Sequence, residues 1–164
     1  MFPRMENSPT PPHDATGRVI AIDGPAGSGK STTARMVAAE IAGMQANGVL
    51  ATAKHFPGHG GTLADSHVQL PTDTRPREVL AADYAAFGGL IDQGVDVVMT
   101  AHVVYPALSG DGAAATFSHE ILQGVLRDEL GFEGVVLTDA LSMGAVLQQY
   151  TVDEAVARAI RAGA

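Results

Sequence analysis

The sequence predicts an α/β chain of parallel βα units, and three observations carry that prediction. From Arg18 onward, short apolar runs alternate with longer stretches of helical period, as strands and crossover helices do around a parallel sheet. Two of the apolar runs, Val19 to Ile22 and Val49 to Ala53, lead straight into glycine-rich loops. A third, in GVVLTDALSM (Gly134 to Met143), delivers Asp139 at its end, where α/β sheets and barrels gather their chemistry.

Four units can be counted. The first is a strand near Val19 to Ile22, a glycine loop, and a helix from about Lys30 to Met44. The second opens with Val49 to Ala53, crosses a long loop, and continues in a helix that Pro76 can start. Its buried side is expected to carry Val79, Leu80, Tyr84, Phe87 and Ile91. In the third, Val95 to Thr100 precedes a helix capped by Ser118 and stopped by Gly131, with Ile121, Leu122, Val125 and Leu126 apolar. The fourth is Val135 to Leu137 and a helix opened by Thr151, with Glu154 at capping-box spacing. Right-handed crossovers turn four such units into half of a closed barrel or a small open sheet. Either form leaves strand edges uncovered, and completion by a second copy, a homodimer, is the expectation.

Composition narrows the partners. With 10 basic against 18 acidic side chains, a net charge of −8 argues against nucleic acid and against anionic membranes. The chain has no cysteine, so disulfides and thiolate catalysis are excluded. Residues 1–17 carry four prolines and no apolar core of a signal peptide, which reads as a disordered arm on a cytoplasmic protein.

Gly24 to Ser31 reads GPAGSGKS, which fits the phosphate-binding pattern GxxxxGK[ST] and sits between an apolar strand and a helix. In that pattern the backbone from Ala26 to Lys30, with glycines 24, 27 and 29, wraps a phosphate at a helix N-terminus. Lys30 then meets the β- and γ-phosphates of ATP, and Ser31, followed by Thr32, holds Mg²⁺. The longer string VIAIDGPAGSGKSTTAR resembles the opening of bacterial cytidylate kinases, which implies a phosphotransferase; the resemblance ends near Glu40.

The fourteen residues from Lys54 to His67, KHFPGHGGTLADSH, hold a lysine, three histidines and an aspartate in one glycine-rich loop. His55, His59, Asp65 and His67 are all metal-ligand types. Zinc, however, takes HxxxH from one helical face, which Pro57 and the glycines break, so no metal is assigned. His59 and His102 are expected to satisfy backbone groups near strand ends.

GMQANGVLATAKHFPGHG, GVDVVMTAHVVYP, LRDELGFEGVVLTDALSM and AVARAIRAGA together resemble family 3 glycoside hydrolases, specifically bacterial β-N-acetylhexosaminidases, from about Ile41 to the end. The resemblance implies a (β/α)₈ barrel of which this chain carries about four units, ending at Gly163-Ala164 where the eighth strand would follow. It implies retaining hydrolysis of terminal β-linked N-acetylglucosamine, as on cell-wall muropeptides, with Asp139 as nucleophile, His67 as acid/base and Asp65 orienting it. Lys54 and His55 would bind the sugar hydroxyls, and no cofactor is required. The whole then reads as residues 1–17, an arm; 18–40, a kinase-like βα unit; and 41–164, part of a glycosidase barrel, a chimera of two incomplete enzymes. A remnant without catalysis is the remaining reading.

Overall fold

Four parallel strands stand side by side in the order of the sequence, β1 (Val19–Asp23), β2 (Leu50–Phe56), β3 (Val97–Thr100) and β4 (Val135–Leu137). In this computed structural model residues 19–23, 31–62 and 69–164 are described, by backbone alone in 19–23 and 31–35. The loop positions Gly24, Gly27, Gly29 and Lys30, and the pair Asp65 and His67, thus lie outside the described residues, and only the backbone of Ser31 and Thr32 is described. Neighbour follows neighbour with no reversal, as in the wall of a barrel; a doubly wound sheet would change direction at a switch point.

Registers are regular at both ends of the sheet. Val19 stands opposite Leu50 and Asp23 opposite Lys54; Val97, Val98 and Met99 stand opposite Val135, Val136 and Leu137. Between β2 and β3 the register slips: Ala53 faces Val98 but Phe56 faces Thr100. Two residues of β2, Lys54 and His55, therefore oppose Met99 alone, which is a β-bulge. The Lys54–His55 and Phe56–Pro57 peptides are both cis.

Helices cover the sheet. The first, α1 (Ser31–Gln45), buries Ile41 and ends through Gly48 at φ 74°. Pro76 precedes α2 (Arg77–Ile91), as anticipated, and its carbonyl accepts from the N–H groups of Val79 and Leu80. Leu80, Tyr84 and Phe87 are buried on α2, but Val79 is 45% exposed, against the expectation. Its position, one residue or about 100° off the 80-84-87-91 stripe, turns it to solvent.

The third helix, α3 (Glu120–Glu129), buries Ile121, Leu122, Val125 and Leu126 as the spacing predicts. Its winding is wide: Leu130 donates to the carbonyl of Val125, five residues back. Ser118 does not cap it. His119 takes the cap position without a side-chain bond, and the Ser118 hydroxyl is buried against that of Ser109 at 2.9 Å, a tertiary partner that outcompetes the local role. Gly131 ends the helix at φ 70°.

A four-residue helix, α4 (Gly144–Leu147), is too short for periodicity to announce it. After it, α5 (Val152–Ala162) begins in the expected capping box. The Thr151 hydroxyl accepts from Glu154 N–H at 3.3 Å, and the Glu154 carboxylate accepts from Thr151 N–H at 2.9 Å. The buried face of α5 is Ala155, Ala159 and Ala162, small side chains that let the helix lie close on the 3₁₀ turn Ala115–Phe117. One apolar core joins these layers through Phe56, Leu80, Tyr84, Val98, Tyr105, Ile121 and Leu126. No helix among the described residues is long and apolar enough to cross a membrane.

Candidate active site

Because all four strands are parallel, their carboxyl ends share one edge, and the sheet brings two of the predicted site regions together there. Asp139 lies two residues past β4, and His55 sits on the β2 bulge. Although β3 runs between these strands, His55 Nε2 reaches to 3.4 Å from Asp139 Oδ2. The bulge makes that reach possible by turning the side chains that follow Ala53 out of simple alternation.

Asp139 is held from its other side. Its Oδ1 accepts the N–H of Ala140 at 2.7 Å, leaving Oδ2 toward the imidazole, with a quarter of the side chain open to solvent. A carboxylate fixed in this way, accessible yet oriented, suits attack on an electrophilic carbon or stabilisation of a developing cation. Lys54, half-buried, shares the bulge. The His59 ring meets His55 edge-on at 5.9 Å, and its Nδ1 lies 3.4 Å from the Thr62 hydroxyl.

Behind Asp139, His102 is buried at 1% exposure. Its Nε2 lies 3.1 Å from the Ala140 carbonyl, which satisfies a backbone group near a strand end as anticipated. Nδ1 lies 2.8 Å from the Thr116 hydroxyl, which is 2.8 Å from that of Thr100. Burial holds the His102 pKa below the ordinary imidazole value, favouring the neutral ring.

Beneath the glycine loop lies a charge cluster that the sequence did not announce. Arg75 grips Asp73 through Nε and Nη2 and reaches Asp83 at 2.5 Å, while the Asp73 side chain is fully buried. The hydrogen bond from Arg75 keeps the Asp73 carboxyl below the usual carboxylate range. The loop rests on this cluster so closely that a Cβ at Gly61 would stand 2.2 Å from Arg75 Nη2, and one at Gly58 2.9 Å from Asp83 Cβ. The buried Tyr105 hydroxyl donates to Gly58 carbonyl at 2.6 Å. The only local hint of the cluster in the sequence is the alternation Asp73-Thr74-Arg75, too common a pattern to single out.

Among the described residues no group of three or more His, Cys, Asp or Glu side chains is arranged to hold a metal ion. A cavity of about 580 Å³ lies at the opposite end of the sheet, by Leu50, Val95, Phe132 and Val135. Conservative packing, not chemistry, is the usual business of that end of a parallel sheet.

Comparison with known proteins agrees with the glycosidase resemblance. Residues 26–164 match the family described as the glycosyl hydrolase family 3 N terminal domain. A β-hexosaminidase of Methylobacillus flagellatus is 48% identical over 102 residues, 62% of this chain and 29% of that protein. The structure of a family 3 β-N-acetylglucosaminidase from Paenibacillus is 48% identical at a TM-score of 0.77, covering 80% of this chain and 25% of that one. NagZ from Neisseria gonorrhoeae, solved with N-trifluoroacetyl-D-glucosamine, is 40% identical at a TM-score of 0.68, covering 79% of this chain and 36% of that one. The chain thus spans only a quarter to about a third of the length of these relatives. Parallel βα architecture, motif order and the breadth of the match point one way, and the chain belongs to glycosyl hydrolase family 3, within the N-terminal domain of that family.

Proposed function

We propose that the chain carries the nucleophile side of a retaining β-N-acetylhexosaminidase, acting on terminal β-linked N-acetylglucosamine such as that of cell-wall fragments. The observation that supports this most is the oriented Asp139 carboxylate at the strand ends, with Oδ2 facing His55. Asp139 attacks the anomeric carbon and forms a glycosyl-enzyme ester; water then cleaves it, and the β configuration is restored. Lys54 and His55, raised on the bulge, hold the sugar's hydroxyls. The proton for the leaving oxygen comes from His67, oriented by Asp65, in the role the family resemblance gives them. The relatives' names and the N-acylated amino sugar bound by the Neisseria protein favour this substrate class. Hydrolysis of this kind needs no cofactor. Following an aryl β-N-acetylglucosaminide by proton NMR is expected to show β-N-acetylglucosamine as the first-formed product; α-anomer first, or no product from the folded protein, removes the proposal.

A second reading concerns residues 24–32 alone. We propose that GPAGSGKS binds a phosphate group, with Lys30 and Ser31 on phosphate and Mg²⁺, as the motif is used elsewhere. Favouring it, β1 leads into the motif and α1 follows directly at Ser31, the strand-loop-helix order the motif requires. Amide exchange from Gly24 to Ser31 is expected to slow when Mg²⁺ and ATP are added, and unchanged exchange removes the reading.

A further inference from the structure

His102 is a buried titratable group that the proposed reaction does not consume, and its hydrogen bonds can be assigned by counting protons. The Ala140 carbonyl can only accept, so the ring nitrogen facing it, Nε2, carries a proton. A neutral ring then has an acceptor at Nδ1, and the Thr116 hydroxyl at 2.8 Å must donate to it. With its single proton committed, Thr116 Oγ1 accepts from the Thr100 hydroxyl at 2.8 Å. The Ala101 carbonyl, 3.0 Å from Thr116 Oγ1, competes for the same proton, but without it that carbonyl still receives the Thr116 N–H at 3.3 Å. Were Ala101 to win, both nitrogens of His102 would have to donate, and a cation would sit in a site 1% exposed. The order of donation is therefore Thr100 to Thr116 to His102 to Ala140.

The ring has little freedom to do otherwise. Phe117 stacks on it with centroids 6.0 Å apart and planes within 11°, and Tyr150 in turn meets Phe117 edge-on. At the far end, the Ala140 carbonyl also accepts the N–H of Met143 at 3.1 Å, so its two lone pairs are used and the turn after β4 is closed. Residue 140 is thus anchored through its carbonyl while its own N–H holds Asp139 Oδ1.

We infer that His102, as the neutral ring protonated on Nε2, is a positioning residue for Asp139: it ties the turn at Ala140 so that Oδ1 is occupied by the backbone and Oδ2 is presented toward His55. The inference rests on the proposed function for the role of Asp139 as nucleophile, but not for the geometry. Its test therefore has two independent arms. Long-range proton–nitrogen NMR of the intact chain is expected to show His102 with an unprotonated Nδ1 and a protonated Nε2 near neutral pH. The opposite tautomer, or two protonated nitrogens, overturns the assignment whether or not the protein turns over substrate.

The second arm reads position. In His102→Leu, or in Thr116→Val if the leucine variant does not fold, the Ala140 amide resonance is expected to move while that of Gly163, at the far end of α5, stays. The kcat for an aryl β-N-acetylglucosaminide is expected to fall about 10²-fold with KM little changed, the cost of a misplaced reacting group. His102→Gln and Thr116→Ser, which keep a donor toward Ala140 and toward His102 respectively, are expected to recover most of the loss. A folded His102→Leu or Thr116→Val variant with an unmoved Ala140 amide and parental kcat overturns the inference. Absent turnover in the parent strikes only the proposed function, since the resonances still decide the role of His102.

Discussion

Asp139→Asn is expected to unfold at the parent's urea midpoint and to lose hydrolysis of an aryl β-N-acetylglucosaminide by on the order of 10³-fold or more. The amide keeps the shape of the side chain and can still accept the Ala140 N–H at Oδ1, so the turn after β4 has no reason to change. What disappears is the anionic oxygen opposite His55 Nε2, replaced by an uncharged amide group that neither attacks the anomeric carbon nor offsets its positive charge. Steady-state rates at matched folded concentration decide the matter. A variant within tenfold of the parent would move the nucleophile elsewhere in the chain.

The second large effect is on stability. Replacing Arg75 by methionine keeps the aliphatic stem but leaves Asp73, fully buried, and Asp83 without their cation. An unpaired buried carboxylate is costly, and the expected loss is about 3 kcal/mol, the lower end for breaking a buried pair because Arg75 is itself about one-third exposed. Its pH dependence has a definite sign. The Asp73 carboxyl has a lowered pKa in the folded protein, so its stabilisation is present above the ordinary carboxylate value of about 4 and fades as pH falls through the lowered one. In Arg75→Met the same group, buried without a cation, is shifted the other way and accepts a proton more readily. The parent and variant urea midpoints are therefore expected to be far apart at pH 7 and to converge below about pH 4. A constant gap across that range would assign the loss to packing and not to charge.

Much of the fold was legible because it depends on local patterns. Val97, Val98, Val135 and Val136 are β-branched residues in short runs, and Gly131 stops a helix where left-handed backbone is needed. Thr151 with Glu154 announced a helix start through a four-residue interaction. One error came where a distant partner decided, the other from the helix's own period. Ser118 had a capping residue's chemistry, but Ser109 claimed its hydroxyl. Val79 was apolar but one position off the buried stripe of α2.

The site divides in the same way. Asp139 and His55 could be named because each belongs to a motif, whereas their proximity depends on a sheet register that no motif encodes. For His102 the kind of partner was foreseeable and its identity was not: Ala140 is 38 residues away. Arg75, Asp73 and Asp83 are ordinary surface residues by type, and only the fold buries their contact.

The slip between Ala53 and Phe56 has a consequence for how this segment tolerates change in length. Strand residues three apart ordinarily point to opposite faces, yet Ala53 and Phe56 stand opposite Val98 and Thr100, which are two apart and share a face, because one residue is spent without advancing along β3. The lysine and histidine are thus the spare place in the count. A codon lost from an exposed loop shortens a tether; lost here, it would straighten the bulge, leaving Phe56 opposite Thr100 but taking away the lysine or the histidine and the kink that carries the other.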